Sequence, residues 1–429
     1  MSKKRDYSDK FKTFKNKTLY EKLDDFHREF IRDISYHYKF TFQEFRQVVE
    51  ATRDLSMWGE EDIKIWWESN ANASEPFTRN DKKYILNKLQ FYLDQLKQQE
   101  KRYPDNPLFT PKSRIPNRIV PDNSKSTIHG MCPVASEKTI CCNLHTIDAV
   151  ENCVFGCSYC TIQTFYGKDI LIQKDIKQKL DQIEIDPTRF YHFGTGQASD
   201  SMAWGNRNGI LDALCNFAAE HPNILMEFKT KSNNIRYFTE NQSPKNIVCS
   251  WSLNTPVIIR NEEHFTAPLA ERIASARTIA DQNIKVAFHF HPLVWYQGWQ
   301  NDYQQIAQNL QDTFTTNEVL FVSFGSITLI KPVVQQIRDL GNPTKTLQME
   351  LVKDPHGKLT YPDQKKIEMF SVMYDAFRTW HEDVFLYLCM EKESIWRESF
   401  GYTYQSNDEF ERDFGKQTMS KIESNLNNK

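Results

Sequence analysis

Apolar positions recur at two different periods along this chain, and the change of period divides it. Between Tyr20 and Tyr103 they fall at helical spacing, most clearly over 80–101, where Ile85, Leu89, Leu93 and Leu96 line one face. Thr78 and Asp81 make a capping-box-like start to that run, with Asp in place of the usual Glu or Gln. Trp58, Trp66 and Trp67 read as packing residues. Pro104, Pro107, Pro111, Pro116 and Pro121 then remove any periodicity, which excludes helix and favours an extended crossing segment. Beyond Ile140 short apolar runs alternate with longer amphipathic ones. They predict strands over 144–150, 189–193, 224–229, 247–252, 285–290 and 319–323, and helices over 174–183, 208–221, 234–240, 268–282, 302–314 and 332–340. About six βα units result, and the length and handedness of their crossovers make an α/β parallel sheet or an incomplete barrel. The domain plan is an N-terminal basic arm and helical region at 1–103, a proline-rich linker at 104–140, the partial barrel at 141–342 and a C-terminal strand–helix extension at 343–429.

In such folds chemistry gathers at the strand C-termini. The unusual loops of this chain all follow predicted strands: the run Cys153 to Cys160, then GTGQASD, TKSN, SLN and HPLVWYQGW. One face therefore carries one candidate site. Cys153, Cys157 and Cys160 stand at i, i+4 and i+7 around Gly156. Soft thiolates suit zinc and iron–sulfur centres, and a 4Fe-4S cluster normally takes four cysteines. Three leave one iron open, as catalytic metal sites do. The alternative is a structural zinc centre closed by Cys132, Cys141, Cys142, His129 or His145.

Gly194 and Gly196 flank Thr195, and two glycines there either let backbone N–H groups approach a charged ligand or make a tight turn. Lys231 alone reads as a solvated charge, and Ser252 and Asn254 as caps for the next helix. His289 and His291 point to one side of a strand with no obvious carboxylate companion. Trp295, Tyr296 and Trp299 beyond them could stack a nucleobase or close the barrel.

The net charge of −2 makes no global electrostatic case for nucleic acid. Local basic stretches exist: residues 1–18 hold seven basic and two acidic side chains, a flexible arm or frayed first helix, and the linker carries Arg102, Lys112, Arg114, Arg118 and Lys125. The nine cysteines are odd in number and clustered, and the chain opens MSKKRDYSDKFK without a secretory apolar segment, so a reducing, cytoplasmic setting is expected. No apolar run approaches the ~18 residues of a membrane helix, and no membrane partner is expected.

The CxxxCxxC spacing with Tyr159 before its last cysteine resembles the signature of radical S-adenosylmethionine enzymes, and the downstream pattern is similar to the spore photoproduct lyase family. The resemblance covers about residues 129–340, more weakly to about 402. It implies a partial (β/α)6 radical-SAM barrel with a 4Fe-4S cluster on Cys153, Cys157 and Cys160. It further implies S-adenosyl-L-methionine bound by Tyr159, Gly194, Thr195, Gly196, Lys231, Ser252 and Asn254. Lys231 matches the family's TK motif and would meet the cofactor carboxylate as a charge-assisted donor, while Ser252 and Asn254 match its S-x-N element. The implied function is hydrogen abstraction from a substrate by a 5'-deoxyadenosyl radical, with an electron donor reducing the cluster and a nucleobase lesion in DNA as the leading substrate class. A zinc-stabilised nucleic-acid-binding protein without catalysis is the alternative. The sequence departs from the lyase pattern at Gln197, where the family has a hydrogen-returning cysteine, and at Thr161, where a tyrosine would follow the last cluster cysteine. The stretch FLYLCMEKESIW, with Cys389, resembles a C-terminal element of the same branch.

Overall fold

The computed structural model describes residues 6–71, 79–104, 106–107, 118–122, 127–132, 138–165, 169–354 and 356–424. The Thr78 cap, Lys112, Arg114 and Lys125 lie outside the described residues. The chain divides into two compact units, Met1–Thr110 with Leu329–Leu359, and Pro111–Thr328 with Thr360–Lys429. The stretch 343–429, expected as a single extension, is thus shared between them. The helix expected over 332–340 forms as Lys331–Leu340 and belongs to the first unit. No helix of the described residues is long and apolar enough to cross a membrane.

In the first unit, helices Tyr7–Lys15, Asp25–Tyr38, Phe42–Trp58, Ile63–Asn70 and Arg79–Gln98 join Lys331–Leu340. Within the expected arm, Tyr7–Lys15 is a helix whose Phe11 ring packs on Tyr20, Tyr36 and Phe45. A capping box starts Phe42–Trp58: the Glu44 N–H donates to Thr41 Oγ1, and the Thr41 N–H to Glu44 Oε2 at 2.7 Å. Trp58, Trp66 and Trp67 are buried, as packing residues should be. Arg338 donates to Asp54 Oδ2 at 2.6 Å and Glu50 Oε2 at 2.8 Å, tying Lys331–Leu340 to Phe42–Trp58.

The second unit is built on one eight-stranded sheet: β1 (His129–Met131), β2 (His145–Ile147), β3 (Tyr191–Thr195), β4 (Ile224–Thr230), β5 (Ile247–Ser252), β6 (Lys285–Leu293), β7 (Val319–Ser326) and β8 (Phe385–Leu388). Strands pair in sequence order, β2 to β8 in parallel and β1 antiparallel to β2. The sheet curls into a half-barrel. The expected first strand, 144–150, is divided between β2 and Val150–Glu151, which pairs with Ile170–Gln173 in a small separate sheet. β8 extends the sheet past the six predicted strands, so FLYLCMEKESIW supplies an edge strand and the helix Glu393–Phe400.

The two faces of the sheet differ in chemistry. One is apolar and packs on helices: Phe193 meets Phe217, Phe228 meets Phe238 and Phe290 meets Tyr303. The alternate positions carry His192, Glu227, Ser250, His289 and Ser323, bonded to one another across five strands. Side-chain alternation along strands enforces this division. At the N-terminal end of the polar, inner face, the helix Asn407–Ser424 inserts Phe414 against His192, Phe321, Phe385 and Tyr387. The inner face is therefore closed at that end, and the loops with unusual chemistry sit at the other.

Candidate active site

The cysteine loop leaves Val150–Glu151 and is pinned by a short antiparallel pairing of Gly156–Cys157 with Glu263–His264. The Ser158 N–H donates to Glu262 O at 2.8 Å, the Ser158 hydroxyl bonds the Glu262 carboxylate, and the Cys160 N–H closes a turn onto Cys157 O at 3.1 Å. Cys153 and Cys160 are half-buried and Cys157 is buried. Burial pushes the Cys157 thiol up, and a metal that takes the sulfur replaces its proton. Three soft donors on one loop, two of them open to a side, fit a cluster with one free coordination position. Among the described residues no three His, Cys, Asp or Glu side chains close up as for a single metal ion.

The same pairing delivers Glu263, a residue the sequence pattern does not single out. Its Oε1 accepts from Lys231 Nζ at 2.8 Å, from Asn254 Nδ2 at 3.3 Å and from the Tyr159 hydroxyl, and its Oε2 accepts from Arg272 Nη2 at 2.7 Å. Burial alone would raise this carboxyl, but the Lys231 and Arg272 charges outweigh it and hold Glu263 at about 2. Burial and the Glu263 charge push Tyr159 well up, so it stays a phenol and donates. Lys231 Nζ also donates to the Tyr159 oxygen at 2.7 Å and lies 5.1 Å from the ring centroid. Three expected cofactor residues, Tyr159, Lys231 and Asn254, thus converge on one carboxylate beside the cysteines.

Asn254 is fully buried, with its Oδ1 accepting from Tyr303 at 2.6 Å. It holds Glu263, while Thr255 caps the helix Pro256–Glu262. Ser252 donates to His291 O at 3.3 Å on the neighbouring strand. Gly194 lies in β3, and Thr195 bonds Ser201 Oγ at 2.6 Å and Glu227 O at 3.0 Å. Gly196 has φ +89°, and a Cβ there would meet Ser201 Oγ at 2.6 Å and Lys229 O at 3.0 Å, so the turn requires glycine. Buried Asp200 fixes the rest of that loop, accepting from Thr230 Oγ1 and from the N–H groups of Met202, Ala203 and Lys231 at 2.8–3.0 Å. The GTGQASD and TKSN loops form one bonded unit.

His289 and His291 have the carboxylate companion the sequence did not reveal. His289 Nε2 bonds Glu227 Oε1 at 2.5 Å, its Nδ1 meets Ser323 Oγ at 2.6 Å, and that oxygen lies 3.0 Å from His291 Nε2. Glu227 also holds His192 at 2.9 Å, and both histidines of β6 are pushed down by burial. Of the aromatics beyond, Tyr296 and Trp299 are buried packing residues, whereas Trp295 is half-buried under Lys365.

A profile of the spore photoproduct lyase family matches residues 141–378, more than half of the chain. The chain belongs to the spore photoproduct lyase family. The curated spore photoproduct lyase of Clostridium acetobutylicum is 26% identical over 183 residues, 41% of this chain and 54% of that protein. That of Bacillus subtilis is 22% identical over 172 residues, 39% and 50% of the two chains. The chain spans about half the length of these curated relatives. A solved spore photoproduct lyase complexed with dinucleoside spore photoproduct shares the fold, with a TM-score of 0.54 at 17% identity over 63% of this chain and 82% of that one. A variant lyase with bound AdoMet and dinucleoside spore photoproduct gives 0.52 at 18% identity, covering 62% and 81%.

Gln197, where the sequence departs from the expected pattern, is half-buried on the loop after β3. Thr161 is turned to Thr328 O at 3.4 Å. Sequence reasoning missed Glu263, Glu227, Asp200 and Arg272. Glu227 had a signal, a lone charge inside the apolar run ILMEFKT, because an unpaired charge is costly in a buried strand. Glu263 had none, since only the antiparallel pairing brings it to the loop.

Proposed function

We propose that this protein is a radical S-adenosylmethionine enzyme acting on a nucleobase lesion in DNA. The observation that carries the reading is the junction of the cysteine loop with the Lys231–Glu263–Tyr159 group at the open end of the half-barrel. Cys153, Cys157 and Cys160 would hold a 4Fe-4S cluster. When bound, cluster and S-adenosyl-L-methionine supply the electron and the 5'-deoxyadenosyl radical that removes a hydrogen atom from substrate. The chain's own part is binding and positioning. Lys231 offers its ammonium to the cofactor carboxylate, and Glu263 fixes that ammonium, leaving two of its three N–H donors to Tyr159 and the ligand. The Gly194–Thr195–Gly196 backbone, locked by Asp200, presents main-chain groups to the cofactor amino group. Ser252, through His291, sets the adjoining strand ends.

The substrate class rests on the family. The nine cysteines, odd in number and clustered, suit a reducing cytoplasm, where an electron donor would reduce the cluster. The zinc-stabilised binding protein gains no support from the family match. Anaerobically purified protein should be brown, with about four irons per chain, and should cleave S-adenosylmethionine slowly to 5'-deoxyadenosine under dithionite. Cys153→Ala, Cys157→Ala and Cys160→Ala should each lose the iron and Cys215→Ala should not, because Cys215 packs in the helix Ile210–Glu220. Lys231→Ala should weaken cofactor binding while retaining iron. A colourless protein with one zinc per chain would overturn the reading.

A further inference from the structure

A hydrogen-bond chain on the inner face of the half-barrel runs towards the open end and stops short of a partner there. Glu227 accepts from His289 Nε2 at 2.5 Å, from His192 Nε2 at 2.9 Å and from the Ser250 hydroxyl at 2.5 Å. Three donors on one buried carboxylate keep it ionised. An ionised acceptor fixes the His289 proton on Nε2 and leaves a lone pair on Nδ1, since the other tautomer would set a lone pair against the carboxylate. Ser323 therefore donates to His289 Nδ1 at 2.6 Å and accepts from His291 Nε2 at 3.0 Å. Its second lone pair takes the Tyr387 hydroxyl. His291, half-buried, is left with a bare Nδ1 that bonds none of the described residues.

Lys229 belongs to the same layer. Alternation puts it on the face of Glu227 and puts His291 on the face of His289, and the two histidine rings lie 5.1 Å apart. β4, β5 and β6 run parallel. Two residues on from the bonded pair Glu227–His289, along both strands, stands the pair Lys229–His291, one layer nearer the open end. The electrostatics agree: after burial, the Lys229 charge acts most strongly on both histidines and holds them neutral. Lys229 is half-buried and makes no hydrogen bond or ion pair among the described residues. A partly buried ammonium without an acceptor is costly, and a ligand oxygen would remove that cost. The neighbouring strands leave room, with Ser252 turned to His291 O at 3.3 Å and Gly325 at a position where a Cβ would meet the His291 ring at 3.1 Å. Lys231 follows two residues later, about 7 Å of extended chain, so the layer adjoins the group on Glu263.

We propose that Lys229 and His291 read the edge of the substrate base, the Lys229 ammonium donating to a ring carbonyl and His291 Nδ1 accepting from the adjacent ring N–H. The inference rests on the reading of this chain as an enzyme acting on DNA. A donor beside an acceptor matches a cyclic lactam, N–H next to C=O, as thymine and guanine carry it. The pairing edges of cytosine and adenine present a bare ring nitrogen instead, which repels the His291 lone pair. Glu227, His289 and Ser323 are positioning residues that set the His291 tautomer.

Anaerobically purified full-length protein is titrated, at one salt concentration, with fluorescein-labelled octathymidylate, octacytidylate and octa(3-methylthymidylate), and binding is followed by anisotropy. Octathymidylate should bind about tenfold tighter than either of the others. Lys229→Met, which breaks no bond within the chain, should keep the thermal midpoint and bring octathymidylate down to the level of octacytidylate, with octacytidylate unchanged. His291→Leu should abolish the effect of the 3-methyl group. Equal binding of the thymidylate and cytidylate octamers by the wild type, no binding of octathymidylate, or insensitivity to the 3-methyl group would each overturn the assignment. An equal loss for both octamers in Lys229→Met would mark a phosphate contact and overturn it too. Binding needs neither a reduced cluster nor cofactor cleavage, so failure of the base preference is read apart from missing iron or uncleaved S-adenosylmethionine, which would overturn the enzyme reading.

Discussion

Glu263 shows how much one buried carboxylate decides. It binds Lys231, Arg272, Tyr159 and Asn254, and Arg272 is itself fully buried. Because its folded value of about 2 lies below the ordinary ~4.3, the stabilisation it gives is present above about pH 4.3. It is lost as the pH falls through that value towards 2. Glu263→Gln should cost about 3–5 kcal/mol at pH 7, since it strands Arg272 and Lys231, and the gap from wild type should narrow below about pH 4. Urea unfolding across pH measures both. Equal stability at neutral pH would mean the ion pairs contribute nothing. Lys231 was legible from its motif, but its partner was not, because nothing local marks Glu263.

Among the elements, five of the six predicted strands form as single strands of the sheet, the first, 144–150, being divided, and β5 coincides with its expected bounds at 247–252. Period and β-branched content suffice for buried parallel strands of this kind. The seven-residue helix Pro256–Glu262 is too short for a periodic signal, and with it went the pairing that anchors the cysteine loop. The turn after β3 is the tightest joint of the site. Gly196→Ala should destabilise by about 1–3 kcal/mol, because a Cβ at φ +89° meets Ser201 Oγ and the Lys229 and Ser199 carbonyls within 3.2 Å. Thermal unfolding checks it; an unchanged midpoint would show that the loop relaxes without cost.

For the second unit as a whole, the decisive feature is the closure of the half-barrel's inner face. Phe414 is fully buried and meets aromatic rings of β3, β7 and β8, so Phe414→Ala should cost about 3–5 kcal/mol. Its distance in sequence from the cysteine loop makes a clean control: denaturant unfolding should shift while iron per folded chain stays constant. Loss of iron together with stability would mean that the plug and the loop unfold as one. The polar layer of Glu227, His289 and Ser323 lies between the two ends, satisfied by its own bonds as buried polar groups must be.

The sequence by itself determined the alternation of strands and helices, the side of the sheet on which the chemistry lies, and the three thiols with their spacing, because these depend on local period and on residues adjacent in the chain. Tertiary structure alone decided that Tyr159, Lys231 and Asn254 meet on Glu263 and that Glu227 serves His192 and His289. Asn254 and Glu263 are nine positions apart, and the other meetings join residues 32 to 104 positions apart, where the partner is set by strand register and chain return, and no local pattern encodes it.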